Sequence, residues 1–181
     1  MDIPWPRAND RLFISGGYRS LAGCIIPKQI QLVAIGYKDA ADALVQVLAE
    51  QGRNDALIFP IVFCYRQYLE LQIKAITASV EEFEETGEDF KRLHDLKKLW
   101  SAIKPRIETE IEEQDREAFA IVEDCIMQFY DLDPTGMTFR YPEPVKMHQI
   151  DLGNLKAVMN RVGTFLGSLA DVWGDGVNNK F

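Results

Sequence analysis

The chain has 181 residues, which fits one compact domain and leaves too little for two substantial ones. Hydrophobic residues make up 47% and charged residues 27%, enough for a sizeable core, so disordered, collagen-like and coiled-coil-only chains are excluded. Lys and Arg number 20 against 28 Asp and Glu, and the net charge of -8 disfavours a chain-wide basic surface while leaving room for local basic patches.

Residues 1–27 hold Pro4, Pro6, Gly16, Gly17, Gly23 and Pro27, a density of breakers that predicts an irregular arm. Its apolar residues, among them Trp5, Phe13 and Ile26, suit packing on the body or on a neighbouring subunit. From Pro27 to Gly52, Ile30, Val33, Tyr37, Ala40, Leu44 and Val47 recur at steps of three and four, the spacing of one helical face. Val62, Tyr65, Leu69, Ile73, Ile76, Val80 and Phe83 continue that alternation to Gly87 in a second helix, with Pro60 in its first turn.

Leu96, Leu99, Trp100 and Ile103 predict a third helix from His94 to Lys104, ending near Pro105. A fourth is expected from about Asp115 to Tyr130. Pro134, Gly136, Pro142 and Pro144 then break the pattern over residues 131–150, with Thr138 to Tyr141 as a short extended piece. Loops of that length are often functional. Asp151 is the candidate N-cap of a last helix with Leu152, Leu155, Met159, Val162, Leu166, Leu169 and Trp173 on its apolar stripe. The expected architecture is all-α: an up-and-down bundle of about five helices over residues 28–174, preceded by the arm and followed by a tail, 175–181.

No run approaches the roughly 18 apolar residues a membrane span needs, and Met1-Asp2-Ile3-Pro4 does not open a signal peptide, so the expected address is cytoplasmic, with no membrane partner. Cys24, Cys64 and Cys125 are odd in number and far apart, which points to reduced thiols. With His94 and His148 the only histidines, no metal site and no cofactor are expected. No P-loop, GxGxxG, HExxH or GxSxG motif is present.

Three polar groupings stand out. Arg66, Glu70 and Lys74 are spaced i, i+4, i+8, so successive side chains can bridge. At roughly 100° per residue, Arg66 falls about 60° from the centre of the Tyr65, Leu69, Ile73 stripe, Glu70 about 100° and Lys74 about 140°, which puts Arg66 at the core boundary and Lys74 in solvent. Arg66 then either pins helices through Glu70 or serves a ligand or RNA site. Second, Lys91-Arg92-Leu93-His94-Asp95-Leu96-Lys97-Lys98 is the best anion-binding candidate in an acidic chain, although Lys97 and Lys98 also suit an exposed helix face, and His94 and Asp95 suit capping. Third, Thr138-Phe139-Arg140-Tyr141-Pro142-Glu143-Pro144 stiffens the backbone around Arg140, which either docks on a carboxylate of the second helix or offers its fork to a phosphate. One expectation joins the first and third groupings: Arg140, Glu70 and Arg66 meet in one place.

The segments Tyr65-Arg66-Gln67-Tyr68-Leu69-Glu70-Leu71-Gln72-Ile73-Lys74, His94-Asp95-Leu96-Lys97-Lys98-Leu99-Trp100 and Phe139-Arg140-Tyr141-Pro142, taken in that order, resemble a branch of the HEPN superfamily of small helical-bundle proteins over roughly residues 28–173. The resemblance implies a helical bundle, a homodimer, and in many members metal-independent RNA cleavage tied to toxin-antitoxin or anti-phage systems. In those RNases a histidine moves the proton of a 2'-hydroxyl and an arginine stabilises charge growing on phosphate. The usual Arg and His have four to six residues between them, whereas Arg140 and His148 here have seven and Arg92 and His94 have one. The reading is therefore a non-catalytic module that binds a protein, such as an antitoxin, or RNA or a nucleotide. Arg66, Glu70, Lys74, Asp95, Lys98 and Tyr141 are its candidate binding residues. The alternative is an RNase that sets Arg140 with His94 or His148. A stable helical protein whose arm serves oligomerisation is the third reading.

Overall fold

The computed structural model describes residues 30–52, 55–78, 92–139 and 149–178, the side chains of 78 and 171–178 excepted. Among these residues the protein is all-α, with no strand. Five helices follow in order: α1 (Ile30–Gln51), α2 (Ile58–Ala78), α3 (Leu96–Glu110), α4 (Arg116–Leu132) and α5 (Leu152–Asn178). Single 3-10 turns, Asp55–Leu57 and Glu113–Asp115, lead into α2 and α4.

The apolar periodicity gives the inward faces of α3 and α4 but not that of α1. There Val33 and Ala40 of the expected stripe are exposed and the buried face lies beside it, because small Ala34 and Ala41 let α2 approach closely. Ala34, Ala41 and Val45 of α1 are buried, as are Leu96, Leu99, Trp100, Ile103 and Ile107 of α3 and Phe119, Val122, Ile126 and Phe129 of α4. α2 lies between α1, α3 and α5, and is closed in on most of its circumference: Ile61, Tyr65, Leu69, Ile73 and Ile76 are all fully buried. α1 and α5 run antiparallel, because Lys38 reaches Asn160 while Asp42, one turn further on, accepts from Lys156, one turn earlier. The helix ends follow local chemistry. Gly52 has φ +82° and stops α1 in a backbone region that favours glycine. Pro60 is the third residue of α2, where its missing N–H costs nothing. Asp151 caps α5 by accepting the Asn154 N–H at 2.9 Å.

Three boundaries differ from expectation, and a fourth falls outside the described residues. α3 runs through Pro105 to Glu110 rather than stopping near it. An internal proline costs about 3 kcal/mol, but Ile107 beyond it is fully buried, and such a side chain contributes about 1.5–3 kcal/mol, which with the turns on either side offsets the break. Thr138 and Phe139 form a turn, not an extended piece. α5 stays helical to Asn178, past the expected end at 174. α2 is described to Ala78, so its continuation to Gly87 lies outside the described residues, as does the arm.

Candidate functional site

The ladder on α2 is the centre of a buried charge cluster. Arg66 is fully buried, Glu70 is 1% exposed and Lys74 7%. Lys74 therefore does not sit in solvent as its helical angle implies; an angle measured from one stripe says little about a helix with neighbours on several sides. Glu70 takes the Arg66 Nη1–H at 2.8 Å on one oxygen, and Lys74 Nζ at 2.8 Å on the other. That second oxygen also lies 2.9 Å from Nδ1 of His94.

Arg66 is held on every side. Its Nε donates to the Asp133 carbonyl at 3.2 Å, and its Nη2 to the His94 carbonyl at 2.5 Å. The Asp133 carboxylate, also buried, has Oδ2 3.4 Å from the same Nε, close enough to pair by charge but without hydrogen-bond geometry. Oδ1 of Asp133 accepts the Met137 and Thr138 N–H groups at 2.9 and 3.1 Å, which closes the turn after α4. Gly136, at φ +75°, lies flat against the guanidinium: a Cβ there would stand 3.0 Å from Nη1 and 3.1 Å from Cζ. Two cations thus face two carboxylates in a site closed to water. A buried pair of this kind needs every partner present, because removing one leaves a charge desolvated.

Burial alone would push the Glu70 carboxyl up, but hydrogen bonds from Lys74 and Arg66, reinforced by the ammonium charge, outweigh it and hold Glu70 below its ordinary value of 4.5. An ionised carboxylate only accepts, so Nδ1 of His94 carries the proton in this contact. The ring is oriented by Glu70 while its side chain stays 58% exposed. Asp95 beside it caps α3, taking the Lys98 N–H at 2.9 Å. Arg92, Lys97 and Lys98 are exposed around this helix start, with Lys97 Nζ 5.8 Å from the centre of the Tyr130 ring. His94, Lys97 and Lys98 are thus exposed side by side in sequence at the start of α3, and of the three the His94 ring is the one in contact with the buried cluster through Glu70.

Of the expected site residues, the structure brings together Arg66, Glu70, Lys74 and His94, and places Asp95 and Lys98 beside them. Arg140, Tyr141 and His148 lie outside the described residues, so the meeting of Arg140 with Glu70 and Arg66 does too. Asp133 and Gly136 are members that sequence reasoning missed. The signal was there in Asp133-Pro134-Thr135-Gly136, where an Asx-type carboxylate, a proline and a glycine specify a tight turn.

A second polar knot ties α1 to α2 and α5. The Tyr65 hydroxyl donates to Asp42 at 2.6 Å, and Lys38 Nζ reaches Asp42 at 2.8 Å and Asn160 at 2.5 Å. Burial raises the Asp42 carboxyl, but the Lys38 and Tyr65 hydrogen bonds win and lower it, while burial and the Asp42 charge push the Tyr65 phenol up. Cys64 and Cys125 are free thiols. Among the described residues, no group of three His, Cys, Asp or Glu is placed to hold a metal, and no helix is long and apolar enough to cross a membrane. Comparison with known proteins finds no matching family model, no matching characterised protein and no matching solved structure.

Proposed function

We propose that this chain is a HEPN-like, non-catalytic binding module that takes RNA or a nucleotide at the start of α3, on His94, Lys97 and Lys98. The observation that carries this reading is the division of labour in the cluster. Arg66 spends its donors on Asp133, Glu70 and the His94 carbonyl, so it holds the fold and cannot reach a phosphate. Lys97 and Lys98, exposed at the start of α3, offer charge to a ligand in a chain that is acidic elsewhere. The resemblance noted in the sequence supports a cytoplasmic homodimer, a protein partner such as an antitoxin, and a defence or toxin-antitoxin setting. A second reading, metal-independent RNA cleavage by Arg140 with His94 or His148, draws on one feature: the imidazole of His94 is exposed and oriented by a carboxylate, as a proton-transfer group needs.

The test is fluorescence anisotropy with a labelled single-stranded RNA in EDTA, with the RNA recovered and sized afterwards. Intact RNA, bound about tenfold more weakly by the Lys97→Glu, Lys98→Glu double variant and more weakly at higher salt, supports the binding module. Shortened RNA, with cleavage lost in both His94→Ala and Arg140→Ala proteins of verified fold, replaces it with the nuclease. Neither binding nor cleavage of RNA or nucleotides refutes both.

A further inference from the structure

A cleft of about 480 Å³ opens between α2, α4 and the start of α5. Its walls are apolar: Val62 and Phe129 stand on one side, Leu155, Val158 and Met159 on the other. A space of this size, lined by hydrocarbon and fringed by a few polar groups, is the ordinary form of a small-molecule site. The fringe carries Asp131 and Asp151 with the amides of Gln128, Gln149 and Asn154, and among the described residues no Lys or Arg lines it. Cys125 also faces the cleft, and Asp124 and Arg161 act on its thiol in opposite senses. Asp151 Oδ1 is engaged by the Asn154 N–H, whereas Asp131 is an exposed carboxylate at the end of α4.

We infer that this cleft binds a small cationic amphiphile, an apolar body seated between α4 and α5 with an amine held at the Asp131 edge. Hydrocarbon walls set the affinity for the body, and an acidic mouth in a chain of net charge -8 sets the preference for a cation over an anion.

The experiment compares two probes of equal chain length and opposite charge, octylammonium and octanoate, titrated calorimetrically into the full chain. Octylammonium binds about tenfold more tightly than octanoate, and Asp131→Asn removes most of that difference. It also slows alkylation of Cys125 by iodoacetamide, read by peptide mass, while Cys64 reacts as before. Val158→Trp fills the cleft and abolishes binding; if that variant fails to fold, Asp131→Asn and the Cys125 readout decide alone. Equal affinity for the two probes, no binding of either, or binding that leaves Cys125 unprotected overturns the inference.

Discussion

Truncating Glu70 tests whether the charge cluster holds the bundle together. In Glu70→Ala, Arg66 keeps the carbonyls of Asp133 and His94 but loses the carboxylate that accepts from its Nη1 at 2.8 Å, and Lys74 loses the same carboxylate at 2.8 Å. Both cations remain more than nine-tenths buried. Breaking a buried pair by removing one member costs about 3–5 kcal/mol, against a total stability of about 5–15 kcal/mol for a domain. The corresponding fall in Tm is roughly 6–20 °C for a chain of this size. Urea denaturation followed by circular dichroism at pH 7 measures the loss, provided the slope with denaturant stays that of the parent. A triple variant, Arg66→Met, Glu70→Leu, Lys74→Met, removes the charges together and recovers most of the loss, since an apolar replacement of matched volume spares the desolvation. A loss below about 1 kcal/mol for Glu70→Ala refutes the argument, as that is the scale of a surface pair.

Three further outcomes follow from the same geometry. Because the folded Glu70 carboxyl lies below 4.5, its contribution is fully present above that pH and is lost as pH falls through the folded value; the stability gap between the parent and Glu70→Gln narrows as urea titrations move from pH 6 to pH 3. Gly136→Ala costs about 2–3 kcal/mol in the same assay, through its positive φ and a Cβ pressed on the Arg66 guanidinium, and the loss shrinks in an Arg66→Met background; equal losses in both backgrounds contradict the contact. Gly163→Ala would put a Cβ 2.8 Å from the Tyr68 hydroxyl, so it destabilises by about 1–2 kcal/mol, and Tyr68→Phe relieves it by taking away the clashing oxygen. A double-mutant cycle with no coupling between positions 68 and 163 rules that contact out.

The helical architecture was legible because the apolar spacing of α3, α4 and α5 reports directly on one buried face each, whereas in α1 the same spacing marked a helix but missed its buried face, which carries Ala34, Ala41 and Val45. α2 was legible as a helix but not in its surroundings. Periodicity finds the centre of a buried stripe, and it cannot say that a second and third neighbour cover the flanks where Glu70 and Lys74 sit. The partnership of Glu70 with Arg66 and Lys74 was readable from i, i+4 spacing alone, a local property. The roles of Asp133 and of the His94 carbonyl were not, since they rest on residues 67 and 28 positions away from Arg66. Pro105 misled for a related reason: a breaker rule is local, and the burial of Ile107 that overrides it is tertiary.

Those long separations have a kinetic consequence. Arg66 and Glu70 share one helix and meet as soon as α2 forms, but the guanidinium acquires its remaining acceptors only when the turn after α4 and the start of α3 arrive. Closing a loop that spans most of three helices comes late, after local helices have condensed. The expected order is therefore a clasp that closes late, after the folding barrier. Perturbing Asp133 will leave the folding rate almost untouched and appear as faster unfolding, so the bundle owes part of its lifetime, more than its speed of assembly, to one buried arginine.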